Sequence, residues 1–273
     1  MSTPVLIAQR ILILYKKIFY IEELQTSKAV QWSLGASLFS FFVSFEIWSS
    51  TKAISTSLYA KGVHLCWPHF QSCGKYFFLE AMPWGYSQSI LYMVFFTIII
   101  AGVYFLYKKE WVQVHLCTLV LFTWKALYLS TVTLSASNNY DFYHLVFTFI
   151  ILFLPYKEFF LQLSAVLLYF LSSTIKIHEG WVTGTIFTSL ENGLPIFNVL
   201  GNNAVPVITN TVILFQIIFC WYLMSGNKLH QKLALIYAII FHLYSGTLVG
   251  YHYPSMILPE TIIIFGLFYS KIL

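Results

Sequence analysis

Residues 87–130 read SQSILYMVFFTIIIAGVYFLYKKEWVQVHLCTLVLFTWKALYLS. Two continuous apolar runs flank a short charged break, Lys108-Lys109-Glu110. A helix needs about 20 apolar residues to cross a hydrocarbon core. Each run meets that length. Neither alternates every second residue, as a barrel strand would. Continuous apolar runs without alternation predict membrane-spanning helices, because in lipid every backbone polar group must be satisfied within the segment.

The same pattern extends outward. Eight such runs are found, at 30–48, 88–107, 111–134, 142–156, 159–175, 208–225, 232–250 and 254–270. The fourth and fifth are parted by PYKE at 155–158, a Pro-led turn. The stretch 182–207, rich in Gly, Asn and Pro, reads as a loop. Composition agrees. The 273 residues are 59% hydrophobic and 9% charged, with 26 Phe and 19 Tyr. Soluble domains carry about 25% charged residues. The mean hydropathy is +0.75. The predicted fold is an all-α membrane protein of about eight transmembrane helices, 30–273, preceded by an amphipathic surface helix within 1–29. In 1–24 the apolar runs are broken by Arg10, Lys16 and Lys17, too soon for a signal-peptide core.

The net charge of +5 belongs to topology and is no nucleic-acid signal. With eight spans, Arg10, Lys16, Lys17, Lys28, Lys108, Lys109, Lys157, Lys228, Lys232 and Lys271 fall on one side. The positive-inside rule makes that side cytoplasmic and puts both termini there. Membrane lipids are the expected partners, with a separate soluble or membrane partner as a second expectation. Of four cysteines, Cys117 and Cys220 fall within spans. Cys66 and Cys73 share the outer loop 49–87, in CWPHFQSCG, where an oxidising compartment favours a disulfide. His64, Cys66, His69 and Cys73 also offer zinc ligands, at a spacing unlike a standard finger.

Polar groups in a span are expensive and mark function or packing. They gather toward the outer ends of the spans. Glu46 and Lys125 stand at similar depth and can pair. Asn138, Asn139 and Asp141 lie in the turn SNNYD, with His144 one turn further on. Lys176, His178 and Glu179 follow the fifth span, and His242 and Glu260 lie within the last two. Read blandly, these are packing residues and an interfacial lysine.

Three stretches carry a resemblance. SSTIKIHEGWVTG at 172–184 sets Ser173, Lys176, Trp181 and Gly184 in order, with Pro195 beyond. SNNYDFYHLVFTFIILFLP occupies 137–155, and FHLYSGTLVGYHYP, with His242, Gly250 and Pro254, occupies 241–254. Together they are similar to the membrane domain of vitamin K-dependent gamma-carboxylase and the wider HTTM (horizontally transferred transmembrane) family, over roughly 30–270. The resemblance implies a pocket toward the outer leaflet for a reduced, vitamin K-like quinone or another isoprenoid lipid. It implies oxygen- or base-dependent chemistry there, as in a quinol epoxidase. Lys176 is implied as the base and His242 as a second catalytic residue that positions the ligand, with Asn138, Asn139, His144 and Trp181 around the ligand and Glu46, Lys125 and Glu260 supporting it. Two departures stand out. Tyr140 occupies the place of the histidine that follows the paired asparagines, and the chain ends at Leu273. Carboxylation of a protein glutamate is therefore not expected. The reading of another class is a non-catalytic membrane scaffold, lipid-binding module or partner subunit. A transporter is disfavoured, because the spans show no inverted repeat. No Walker loop, nucleophile elbow, zincin helix or c-type haem motif occurs.

Overall fold

A computed structural model describes residues 3–62, 66, 87–131, 139–185, 203–247 and 266. Within these, side chains are described outside 3–6, 43–56, 58–59, 87–91, 131, 139–140 and 242–247. Every regular element among the described residues is helical. The chain divides into two compact units, Met1–Lys157 and Glu158–Leu273.

The first unit contains α1 (Thr3–Ile18), α2 (Ile21–Thr26), α3 (Lys28–Ala60), α4 (Ser87–Lys108), α5 (Trp111–Thr131) and α6 (Asn139–Phe153). α3 packs on α4, α4 on α5, α5 on α6 and α6 back on α3, so four helices close a ring. Their inward faces follow the helical period: Leu34, Ser37, Leu38 and Phe41 of α3, Val114, Thr118, Leu121 and Lys125 of α5, and His144, Thr148 and Ile151 of α6 are buried. Gly102 of α4 lets the helices approach. A Cβ there would stand 3.1 Å from Leu38 Cδ2 and 3.4 Å from Cys117 Cβ. The outward faces are apolar, with Met93, Ile100, Val103, Val120, Leu127, Val146 and Phe149 exposed. Ser37, Thr118, Lys125, His144 and Thr148 thus share the buried face with apolar side chains, and the exposed face carries aliphatic and aromatic ones.

Among the described residues two helices, Trp111–Ser130 and Ala204–Tyr222, are long and apolar enough to cross a membrane. Tyr92–Lys108 and Asp141–Phe153 are shorter apolar helices.

Several boundaries differ from the sequence reading. α3 runs on to Ala60, beyond the expected end at 48, and stops where Gly62 takes φ +68°. No glycine or proline interrupts it after Gly35, so nothing local ends it sooner. α4 ends in a Schellman motif: Glu110 N–H donates to Phe105 O (2.9 Å) and Lys109 N–H to Leu106 O (3.1 Å). Lys109 takes the left-handed conformation that glycine usually fills. The segment before α3 is two helices, broken at Phe19–Tyr20, where Tyr20 has φ 51°.

α1 and α2 hold one end of the ring. Tyr15 O–H donates to His115 Nδ1, while His115 Nε2–H donates to Leu152 O (3.0 Å). Phe19 packs 5.0 Å from the His115 ring. The Glu23 carboxylate accepts the backbone N–H of Tyr156 (2.9 Å) and of Lys157 (2.7 Å).

The second unit contains α7 (Lys157–Thr174, begun at the unit boundary), α8 (Glu179–Val182), α9 (Ala204–Tyr222) and α10 (Lys228–Thr247). α9 packs on α8 and α10. It begins at Ala204, inside the stretch expected to be loop. Pro206 sits in its first turn, where a missing N–H has no intrahelical partner to lose. The eighth expected span, 254–270, lies outside the described residues except for Gly266.

Candidate functional site

Among the described residues, polar groups singled out in the sequence form one cluster in each unit.

In the first unit α5 carries Lys125 and α6 carries Asp141 and His144 onto facing inner surfaces. All three are buried. Lys125 Nζ lies 2.7 Å from Asp141 Oδ1 and donates to His144 Nδ1 at 2.9 Å. His144 must then carry its proton on Nε2, which donates to Ser37 O (3.1 Å) and faces Ser37 Oγ (3.0 Å). Thr148 O–H donates to His144 O (2.7 Å), so its oxygen accepts from Ser37 Oγ–H at 2.7 Å. The Phe41 ring stands 4.4 Å from the His144 ring and 6.0 Å from Lys125 Nζ. Each polar group has a partner. The arrangement holds a paired charge inside an apolar ring.

Lys125 and Glu46 were read as able to pair; among the described residues Lys125 pairs with Asp141. Glu46 lies on α3 with its side chain outside the described residues. Asp141 stands in the first turn of α6, which packs directly on α5.

In the second unit the last turn of α7 gives way at Lys176, whose N–H donates to Ser173 O (3.1 Å). The chain reverses and forms the single turn α8, which carries Trp181. α9 fixes that turn: Asn210 Nδ2–H donates to Val182 O at 2.8 Å. Gly184 lies against Val205 with φ +75°, and a Cβ there would clash with Val205 Cγ1. Lys176 Nζ then points back to α9 and donates to Gln216 Oε1 (3.1 Å). Ser173 O–H donates to the same oxygen at 2.7 Å. The ammonium lies 5.2 Å from the Trp181 ring centre and 5.6 Å from that of Phe241. Two aromatic faces attract a cation, yet burial lowers the amine to about 8 from its ordinary 10.5. Among the described residues no carboxylate pairs with it. About a tenth of such amines are neutral at pH 7, enough to act as a base.

The structure brings Lys176 beside Trp181 and Lys125 beside His144. His242 lies on α10, and Asn139 opens α6, but their side chains fall outside the described residues, as do Asn138 and Glu260. Cys66 is described and Cys73 is not, so the expected pair also falls outside; Cys117 and Cys220 are free thiols. No group of three or more metal-ligating side chains occurs among the described residues. Gln216, Ser37 and Thr148 were missed. Their signal was a hydrogen-bonding residue inside an apolar run, most visible in ILFQIIF at 213–219.

Comparison with protein-family models, with curated proteins and with solved structures returned no match.

Proposed function

We propose that the chain is a multi-pass membrane protein of the HTTM type, with about eight spans and both termini cytoplasmic. It binds a quinol or isoprenoid lipid at Lys176 and does base chemistry on it. The observation that carries the reading is Lys176 itself. Its amine is held by the neutral Gln216 amide between Trp181 and Phe241, with a lowered proton affinity. A quinol hydroxyl placed there would lose its proton to Nζ, and the aromatic faces suit its flat ring. The apolar outer surface of the first unit supports residence in lipid, where such a ligand dissolves. The outer loop would be closed by a Cys66–Cys73 disulfide, checked by peptide mapping with and without reductant.

The test is native mass spectrometry with lipid extraction on purified wild type and Lys176→Ala. Co-purification of a quinone or isoprenoid with the wild type alone supports the reading. Identical bulk phospholipid in both makes Lys176 a boundary lysine. A second reading, a non-catalytic scaffold or partner subunit, is favoured by the self-satisfied Lys125–Asp141–His144 cluster, which leaves that unit a structural role.

A further inference from the structure

Tyr237 of α10 is a ring in an aromatic wall. Its centroid lies 5.8 Å from Phe215, 5.8 Å from Phe219 and 6.4 Å from Phe241. Phe241, one helical turn further along α10, is the ring beside Lys176 Nζ. The wall continues the other way: Phe219 packs 5.2 Å from Tyr222, and Tyr222 stacks 4.8 Å from His230. From Phe241 to His230 it runs roughly 16 Å along the helix.

Within this wall the Tyr237 hydroxyl is buried with no hydrogen-bond partner among the described residues. A phenol buried against phenylalanines forfeits its bond to water and costs about 1–3 kcal/mol. Phenylalanine would fill the same space without that cost. A tyrosine is explained when something outside the polypeptide supplies an oxygen.

We infer that Tyr237 is a ligand-binding residue, whose hydroxyl donates to the second ring oxygen of a quinone or quinol whose first oxygen meets Lys176. This rests on the function proposed above and narrows the ligand class. Lys176 meets the wall at Phe241, one turn, roughly 6 Å, along α10 from Tyr237, so a ring with oxygens on opposite sides would serve both groups. A lipid with one polar head would satisfy Lys176 and leave Tyr237 orphaned. The isoprenoid tail would lie along Phe219 and Tyr222.

The experiment is thermal unfolding and titration of the full chain in nanodiscs with a short-tailed menaquinone, oxidised and dithionite-reduced, as the probe. Wild type, Tyr237→Phe and Lys176→Ala are compared. Tyr237→Phe is expected to unfold at the same or a higher temperature without probe and to bind it about tenfold more weakly, the loss of one hydrogen bond. Unchanged affinity in Tyr237→Phe, with weakened binding in Lys176→Ala, overturns this assignment and spares the proposed function. Absence of probe binding in the wild type overturns both. A destabilised Tyr237→Phe without probe also overturns it, because the hydroxyl would then have a partner within the fold.

Discussion

Lys125 Nζ and Asp141 Oδ1 stand 2.7 Å apart with both side chains removed from solvent. Breaking such a pair leaves one charge buried alone. Lys125→Met is expected to destabilise the protein by about 3–5 kcal/mol, and Lys125→Met with Asp141→Leu to recover most of the loss. Denaturant unfolding of the two variants checks this. Equal instability of single and double variants would mean that the pair does more than neutralise itself.

Lys176 gives a pH signature. Its folded proton affinity, about 8, lies below the unfolded 10.5. Between those values the unfolded chain holds the extra proton, so stability rises with pH from about 8 to 10.5 and is level below about 8. Competitive acylation of the amine should reach half its limiting rate near pH 8. A midpoint near 10.5 would describe a solvated lysine and remove the basis for its role as a base.

Gly184 holds the turn under that lysine. Gly184→Ala meets both a left-handed backbone and the Val205 side chain. The strain alone is about 1–2 kcal/mol. The expected result is a lower unfolding temperature together with Trp181 fluorescence shifted to the red, as α8 leaves α9. An unshifted spectrum would place the damage elsewhere.

Lys109 offers the opposite sign. Its φ of 59° is one that glycine adopts freely, and its side chain is exposed. Lys109→Gly is expected to stabilise the α4–α5 hairpin by about 0.5–1 kcal/mol. A destabilised variant would show that the lysine makes a contact beyond the turn.

Helices announced themselves in the sequence because apolar runs are local signals. The breaks at 108–110 and 155–158 did too, since charge and proline act where they stand. Ends set by backbone geometry did not: nothing near residue 48 separates α3 from its extension to Ala60. Lys125 was visible as a costly charge, but its partner depends on which helix packs beside α5. The Trp181 and Lys176 pairing was legible because five residues and a turn separate them. Gln216 was hidden, being 40 residues from Lys176 and uncharged. Tyr237 was hidden for a different reason: only the packed structure distinguishes an unsatisfied phenol from one of many aromatic residues.

The Glu23 carboxylate bonds to backbone groups 133 and 134 residues later in the chain. At ribosomal speed that interval lasts on the order of ten seconds. During synthesis the amino-terminal helices are thus finished long before the groups that fasten them exist. The clasp is a late closure of the first unit, made as residue 157 leaves the ribosome. Stalled nascent chains ending just before the turn should be indifferent to Glu23→Gln, whereas chains carrying the turn clear of the exit tunnel should become easier to proteolyse.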